Sequence, residues 1–313
     1  MAAHSGDRVT QLVARRALGT ALLEMGEFEA ARAQLDQFLA LHDAEKDRSL
    51  SAHYVTDPYA SGLAFLAVTL WVLGYPDQAV TARDKAFKYA ADLNHANTSG
   101  FVSIHAGAQL SILLGNTELI RAHVESLQAR SGERMPFWAP VVGNILIGWA
   151  IGCAGQPEHG IALMKKGMDA AAKAGGIYWP HYHSLFAILH ARAGNMHDGL
   201  SAISRAKALI GETGEYFWHA DVLRIEGELG LLFGASTKQA EASFVQAIEV
   251  ARTQRAKSFE LRAATSLAGL WRAQGNLRDA HNLLAPIYGR FTEGFHTPDL
   301  KRANALLEGL VSS

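Results

Sequence analysis

Seven glycines recur along the 313-residue sequence at a nearly constant interval, and each closes a run of apolar residues. Successive members of this series are 48, 41, 40, 39, 40 and 41 residues apart. Glycine often ends an α-helix, because it adopts a left-handed conformation that side chains disfavour. A regular series of helix ends at this spacing is typical of a repeat protein. The glycines are Gly26, Gly74, Gly115, Gly155, Gly194, Gly234 and Gly275.

A small residue, glycine or alanine, also lies seven positions before each of these glycines, where it lets a second helix approach closely. Each period is therefore predicted to be a helix, a tight turn and a second helix, and such pairs bury their apolar faces only by stacking on neighbours. We expect an all-α, right-handed superhelical solenoid of about seven helix-turn-helix repeats, forming a single domain over residues 1–313. Pro298 and Asp299 predict the start of a C-terminal capping helix over residues 298–311.

Charge and composition argue against several classes of function. The 29 Lys and Arg residues balance 30 Asp and Glu residues without a long run of one sign, so we expect no nucleic-acid partner. The most apolar stretches, residues 61–73 and 141–154, are shorter than the roughly 20 residues that span a bilayer, so no membrane insertion is predicted. A single cysteine, Cys153, and a polar N-terminal stretch favour a cytoplasmic protein without disulfides.

The residues that follow the turn glycines resemble the turn of the tetratricopeptide repeat, in which an aromatic or apolar residue and then a small residue follow the glycine. The best example is the sequence GEFEAA at residues 26–31. The tetratricopeptide repeat is usually about 34 residues long. The longer period of this chain indicates a divergent form with longer helices.

Several longer stretches carry a second resemblance. They are DP at 57–58, LWVLGYPDQA at 70–79, RIEGEL at 224–229, AEASF at 240–244, AKSFELRAA at 256–264, LAPIY at 284–288 and FTEGF at 291–295. Together they resemble the C-terminal region of bacterial fusion proteins, in which a class III nucleotide cyclase domain and a signalling ATPase of the AAA type precede a helical-repeat tail. This resemblance covers nearly the whole chain and is strongest beyond about residue 220.

The second resemblance implies a regulatory tail whose partner is a protein segment or the parent's own ATPase or cyclase domains. The sequence has no phosphate loop of the form GxxxxGK[ST] and no obvious pair of metal-binding aspartates, so we expect no enzyme activity in this chain. Any cyclase or ATPase activity of a parent protein would lie outside it. We predict neither a cofactor nor a metal site, because the fourteen histidines lack the spacing of a ligand set.

Matching the first helix of each repeat to the tetratricopeptide pattern predicts which side chains face the concave surface. With a neighbouring aromatic pair, these candidate binding residues are His105, Gln109, Trp149, Tyr178, Trp179, His181, Ser184, Arg192, Asp221, Arg224, Glu228, Arg262 and Arg272. The middle of this surface is rich in aromatic residues and histidine, and its C-terminal third carries charges of both signs. It is either a solvated face of Glu and Arg pairs or a groove for a partner segment with acidic groups near Arg262 and Arg272.

Aromatic residues also recur at the start of the first helices, at 137–138, 178–179 and 217–218, with Phe101 and Phe259 at similar positions. They are predicted either to fill the wedge between helix pairs or to line a groove for a peptide, a helix or a small amphipathic ligand. The favoured function is a non-catalytic protein-interaction and sensor module. The alternative is a small-molecule receptor whose ligand lies inside the superhelix.

Overall fold

A computed structural model describes residues 8–43, 45–129, 138–173 and 179–311 of the chain. The helices within these ranges form seven successive pairs and a final helix. The first two pairs are α1 (Arg8–Glu24) with α2 (Phe28–Leu41) and α3 (Pro58–Val72) with α4 (Pro76–Leu93). In the third pair, the first helix consists of α5 (Ala96–Val102), a π-helical segment (Ser103–Gln109) and α6 (Leu110–Leu113), and the second helix is α7 (Thr117–Ala129). The remaining pairs are α8 (Trp138–Cys153) with α9 (Pro157–Ala172), α10 (Trp179–Arg192) with α11 (Met196–Thr213), α12 (His219–Leu232) with α13 (Thr237–Thr253), and α14 (Lys257–Ala273) with α15 (Leu277–Tyr288), and the final helix is α16 (Pro298–Val311).

This architecture confirms the predicted all-α solenoid of helix-turn-helix repeats with a C-terminal helix. The described residues contain no β-strand. We number the repeats 1 to 7 in chain order, one for each helix pair. None of the described helices combines the length and the apolar character needed to cross a membrane. The assignment of the whole chain to one domain stays a prediction.

Each of the seven turn glycines follows the first helix of its repeat in the left-handed conformation, with φ between 70° and 95°. In repeat 1 the Gly26 N–H donates to Leu23 O at 3.1 Å, and the Glu27 N–H donates to Leu22 O at 2.9 Å. The same two hydrogen bonds recur at the other six turns. They define the Schellman motif, which requires a left-handed residue and therefore accounts for the periodic glycines.

Small residues inside the helices set how closely the two helices of a repeat approach. A side-chain carbon added at Gly148 of α8 would lie 2.6 Å from Gly160 O of α9. One added at Gly227 of α12 would lie 2.6 Å from the Phe244 ring of α13. Because both distances are well below van der Waals contact, the backbones in these repeats pack at a separation that a larger residue would increase.

The superhelix also makes contacts between repeats that are far apart in sequence. The turn of repeat 1 packs against the start of the first helix of repeat 6. There the Phe217 N–H donates to Glu24 O at 3.1 Å, and the rings of Phe28 and Phe217 meet edge to face with centroids 5.3 Å apart. Both phenylalanines are fully buried, so the contact is part of the core.

Repeats 2 and 3 make the equivalent contacts further along the chain. The Ser258 hydroxyl donates to Trp71 O, 187 residues away, and the rings of Trp71 and Phe259 lie 5.4 Å apart. Arg262 donates to Leu113 O across 149 residues. One superhelical turn therefore closes after about five repeats. We call these contacts the inter-turn seam; its members are Glu24, Phe28, Trp71 and Leu113 on one side and Phe217, Ser258, Phe259 and Arg262 on the other.

A carboxylate extends the seam at the start of α4. Glu293, in the segment before α16, accepts hydrogen bonds from the backbone N–H groups of Asp77 and Gln78 at 2.9 and 3.1 Å. The Gly294 N–H donates in return to the Asp77 carboxylate at 3.1 Å. An anion at a helix N-terminus is stabilised by the free N–H groups and the helix dipole. Glu293 thus caps a helix more than 200 residues earlier in the chain.

Candidate functional site

The interior of the superhelix contains a cavity of about 210 Å³ next to the inter-turn seam. Its lining residues lie on, or directly before, the first helices of repeats 3 to 7 and on α16. The first helices therefore supply the inner layer around this cavity, in agreement with the tetratricopeptide pattern. Its polar and aromatic lining consists of Trp149, His181, Trp218, Asp221, Arg224, Arg262, Thr265, Asp299 and Arg302.

A series of ion pairs on α12 forms one wall of the cavity. Arg224 donates to Asp221 Oδ1 one turn earlier and to Glu228 Oε2 one turn later, both at 2.7 Å. The Ser266 hydroxyl of α14 donates to the other oxygen of Glu228 at 2.7 Å. The spacing of three and four residues places the three charged groups on the same face of the helix. Only 12% of the Arg224 side chain is exposed, so water screens these pairs less than surface pairs.

Arg262 of α14 joins this wall to the seam. Its Nε donates to Asp299 Oδ2 at 2.8 Å and its Nη2 donates to Leu113 O at 2.6 Å, while Nη1 lies 3.8 Å from Asp221 Oδ2. The guanidinium also lies 4.6 Å from the centre of the Trp71 ring, which is the geometry of a cation–π interaction. One side chain therefore contacts repeats 2, 3 and 6 and the final helix.

The carboxylates of the wall are ionised and paired. Burial acts to raise the pKa of Asp221, but the charges of Arg224 and Arg262 outweigh it and hold this pKa below its ordinary value. Burial likewise acts to raise the pKa of Glu228, and Arg224 together with the Ser266 hydrogen bond lowers it overall. A carboxylate that is held by arginine with a lowered pKa is a weak proton acceptor. The pairs therefore favour binding over acid–base chemistry.

A stack of two rings forms another part of the lining. His181 of α10 lies on Trp218, which directly precedes α12, with ring centroids 3.6 Å apart and planes within 7°. Among the described residues, neither ring nitrogen of His181 has a hydrogen-bond partner, and the indole N–H groups of Trp149 and Trp218 have none either. All three side chains are more than nine-tenths buried. Each buried polar group without a partner costs about 1–3 kcal/mol, so native proteins contain few of them.

Burial also fixes the protonation state of His181. It lowers the pKa of this residue to about 3, although the nearby Asp221 carboxylate acts in the opposite direction. The ring is therefore neutral at physiological pH and offers one N–H donor and one acceptor nitrogen. Such a histidine is suited to hydrogen bonding, because a general base needs a pKa close to the working pH.

The structure brings together five of the predicted binding residues at the cavity: Trp149, His181, Asp221, Arg224 and Arg262. Glu228 lies behind Arg224 as its second carboxylate partner. These residues come from the first helices of four different repeats.

Three other predicted residues are buried elsewhere in the inner layer. His105 Nδ1 lies 3.2 Å from Gln109 Oε1 within the π-helical segment, and burial lowers the pKa of His105 to about 4. Gln109 lines a much smaller cavity of about 10 Å³ that it shares with His181. The Ser184 hydroxyl donates to His181 O at 2.7 Å and so serves the backbone of its own helix.

The remaining predicted residues lie away from the cavity or outside the described part of the structure. Arg192, at the end of α10, is exposed, with its guanidinium 5.8 Å from the centre of the Trp149 ring. Arg272 is exposed beside α16 and is not part of the cavity lining. Tyr178 and the side chain of Trp179 lie outside the described residues.

Of the aromatic residues at the helix starts, two occupy a position that neither predicted alternative covers, one lines the cavity and one packs between neighbouring repeats. Phe217 and Phe259 are buried in the inter-turn seam, where they contact repeats 1 and 2. Trp218 lines the cavity, and Phe101 packs against Phe65 in the neighbouring repeat. Residue 137 and the side chain of residue 138 lie outside the described residues.

Two charged residues of the site were missed because they lie on the final helix. The sequence predicts Asp299 only as the start of the helix, and it predicts that Arg302 faces water. They are three residues apart, so α16 presents both on one face toward the cavity. The amphipathic pattern of α16 was the available signal, but nothing in its sequence indicates that it closes the cavity formed by the repeats.

No protein-family model matches this sequence, and no curated protein matches it as a relative. Solved structures share its fold. One is a crystal structure of a Rap protein complexed with Competence and Sporulation Factor, with a TM-score of 0.66 and 12% sequence identity over 96% of this chain and 87% of that one. Another is a tetratricopeptide repeat protein from Parabacteroides merdae, with a TM-score of 0.50 and 12% identity over 96% of this chain and 99% of that one.

These likenesses identify the class of fold. At 12% identity they carry no information about ligands or activity. The chain is a tetratricopeptide-like helical-repeat solenoid whose interior forms a cavity lined by ion pairs and by aromatic residues with unpartnered ring nitrogens.

Proposed function

We propose that this chain is a non-catalytic binding and sensor module, and that its ligand binds in the interior of the superhelix. The observation that carries the proposal is the convergence of polar side chains from repeats 4 to 7 and α16 on one cavity beside the seam. Small-molecule sites in proteins are concave and largely preformed, with a few polar groups among apolar ones. The cavity around Trp149, His181 and Arg262 has this character.

The chemistry of the lining favours recognition over catalysis. Among the described lining residues, Asp221 and Asp299 are both paired with arginine, and His181 is neutral. Thr265 donates its hydroxyl to Leu261 O in its own helix. A nucleophile needs an adjacent base, and none of these groups is arranged to act as one.

The position of the cavity supports a sensor function. Arg262 lines the cavity and also contacts Leu113 and Trp71 across the seam. A ligand that changes the hydrogen bonds of Arg262 would therefore change the stability of the seam. Ligand binding shifts a conformational equilibrium only if the ligand interacts differently with the two states, and a shared residue provides that difference.

We further propose that the module regulates a bacterial cyclase and ATPase signalling protein, as its C-terminal region. The resemblance described above is the support for this context. The ligand is then either a segment of the parent's ATPase or cyclase domains or a small molecule. The position of the cavity inside the superhelix supports the small molecule, and the Rap protein, whose structure contains Competence and Sporulation Factor, is an example of a similar solenoid with a bound partner.

A cavity-filling substitution tests the binding site. Ile188 is half-buried and lines the cavity, so Ile188→Trp should occupy part of its volume. We expect this variant to bind the recombinant ATPase region, or the active compound of a metabolite panel, at least tenfold more weakly in calorimetric titrations.

The natural reading frame upstream of this chain tests the proposal that the chain belongs to a cyclase and ATPase signalling protein. That proposal is wrong if no ATPase domain is encoded there.

The matched control is Ile161→Trp. Ile161 is also a half-buried isoleucine, but it lines a separate surface groove between α9, α10 and α11. Its substitution should leave binding unchanged. If Ile161→Trp weakens binding and Ile188→Trp does not, the site is the surface groove and the interior-site proposal is wrong.

A further inference from the structure

The unpartnered nitrogens of the cavity lining indicate what kind of ligand fits there. Within the described part of the chain, Trp149 and Trp218 each have an indole N–H without an acceptor, and His181 has one donor and one acceptor nitrogen without partners. Three of these four groups are donors. A ligand that satisfies them must therefore carry mainly hydrogen-bond acceptors. The nitrogens are covered in this conformation, so hydrogen bonding to a ligand requires the Trp149, Trp218 and His181 rings to turn toward the cavity.

The size of the cavity suits a ring compound of modest size. An engineered apolar cavity of about 150 Å³ binds benzene. The present cavity, at about 210 Å³, has room for one substituted ring or a small fused ring. Its aromatic walls favour a planar molecule, because flat rings stack or pack edge-on with indole and imidazole.

The charges around the cavity favour an uncharged ligand. In the lining, Arg224, Arg262 and Arg302 carry three positive charges, and Asp221 and Asp299 carry two negative charges. Glu228, which lies behind Arg224, supplies the third negative charge. His181 is neutral, so these groups leave no net charge for a ligand to balance. A phosphate or carboxylate would have to lose its hydration and compete with carboxylates that already hold Arg224 and Arg262.

We infer that the cavity binds a small, planar, uncharged heterocycle with carbonyl or ring-nitrogen acceptors, which accept hydrogen bonds from Trp149, Trp218 and His181. This inference rests on the interior site proposed above and specifies its ligand class. It predicts that nucleotides and other phosphorylated compounds bind more weakly than the uncharged ring.

Binding of simple ring probes tests this ligand class. The probes are nicotinamide, uracil and 2-pyridone, which are uncharged rings with acceptors. Nicotinate, a carboxylate analogue of nicotinamide, and toluene, a ring without acceptors, are the comparisons. Measured by saturation-transfer NMR and titration on the full chain, at least one acceptor probe should bind, and nicotinamide should bind at least tenfold more tightly than nicotinate.

Two variants show whether the ring nitrogens are responsible. Trp149→Phe removes the indole N–H but keeps an aromatic ring, and it should weaken the acceptor probe about five- to tenfold, the effect of one hydrogen bond. His181→Phe removes the imidazole nitrogens but keeps an aromatic ring stacked on Trp218, and it should weaken binding of the acceptor probe to a similar extent. Toluene should bind both variants no more weakly than it binds the unaltered protein. The control is Trp271→Phe, because this indole lies outside the cavity lining and donates to Glu241 at 3.0 Å.

Three results would overturn the inference. They are binding of none of the acceptor probes, tighter binding of nicotinate than of nicotinamide, and acceptor-probe binding that neither Trp149→Phe nor His181→Phe weakens. If the ATPase region still binds and Ile188→Trp still abolishes that binding, only the ligand class is wrong. If Ile188→Trp also has no effect there, the interior site itself is wrong.

Discussion

At the scale of single residues, burial determines the chemistry of His181. The ring is 3% exposed and lies on Trp218, and this environment lowers its pKa to about 3. An unfolded histidine has a pKa near 6.5. Between these two pH values the unfolded chain binds a proton at this site and the folded chain does not, so the stability of the fold falls as the pH falls.

The substitution His181→Phe removes this pH dependence. One proton of difference changes the free energy of unfolding by about 1.4 kcal/mol per pH unit. Between pH 7 and pH 5 the variant should therefore lose about 2 kcal/mol less stability than the unaltered protein, since the effect begins near pH 6.5. Urea unfolding at several pH values measures this difference. His159→Gln, at an exposed position of α9, is the control, and equal pH dependence for all three proteins would contradict the prediction.

The sequence placed Trp149, His181 and Asp221 at the inner surface because each occupies a fixed position in the first helix of a regular repeat. The same reasoning gave Arg262 and Arg272 equal roles, yet Arg262 lies in the cavity and Arg272 is exposed. The cavity borders the seam and ends within α14. Repeat periodicity identifies the inward face of a helix, but it does not specify how far along that helix a cavity extends.

At the scale of helices, the repeat pattern was predictable because its cause is local. A Schellman turn needs only a left-handed residue between two amphipathic helices, and glycine provides it. The small residue seven positions earlier also acts locally, because it sits where the partner helix approaches most closely. Gly148 is the tightest case, since its nearest neighbours include the backbone of Gly160 and of Met164.

Gly148→Ala should therefore destabilise the protein. A methyl group at this position would lie 2.6 Å from Gly160 O and 2.8 Å from the Met164 N atom, and backbone atoms move less readily than a side chain. We expect a loss of about 1–3 kcal/mol, the usual effect of overpacking. Thermal or urea unfolding followed by circular dichroism provides the measurement.

Gly269→Ala is the matched control on another first helix. Gly269 lies within α14, and an added methyl group would meet no atom within 4 Å. Alanine is the better helix former, so this variant should be more stable by about 0.5–1 kcal/mol. The two substitutions are chemically identical and should have effects of opposite sign. A gain in stability for Gly148→Ala would show that the helix pair of repeat 4 is packed less tightly than described.

At the scale of the whole molecule, the inter-turn seam distinguishes this chain from an open solenoid. In an open array each repeat contacts only its neighbours, and stability is a sum over neighbouring pairs. Here repeats 1 and 2 also contact repeats 6 and 7. The seam could not be read from the sequence, because its contacts join residues such as Trp71 and Ser258 that are 187 positions apart and follow no period. Closure depends on the rotation per repeat, which small changes in helix packing determine.

The seam predicts energetic coupling between the two ends of the chain. Phe217 and Phe244 are both fully buried phenylalanines in repeat 6, but Phe217 packs on Phe28 of repeat 1, whereas Phe244 packs on Gly227 within its own repeat. Replacing either by alanine should cost about 3–5 kcal/mol. In hydrogen exchange, Phe217→Ala should accelerate the amides of α1 and α2 as well as those of α12, because it removes a contact between the superhelical turns. Phe244→Ala should accelerate exchange in α12 to α15, and it should leave the exchange rates of α1 and α2 close to those in the unaltered protein. If both variants affect α1 and α2 equally, the ends of the chain are coupled through the array of repeats, and the seam contributes little to the stability of the closed superhelix.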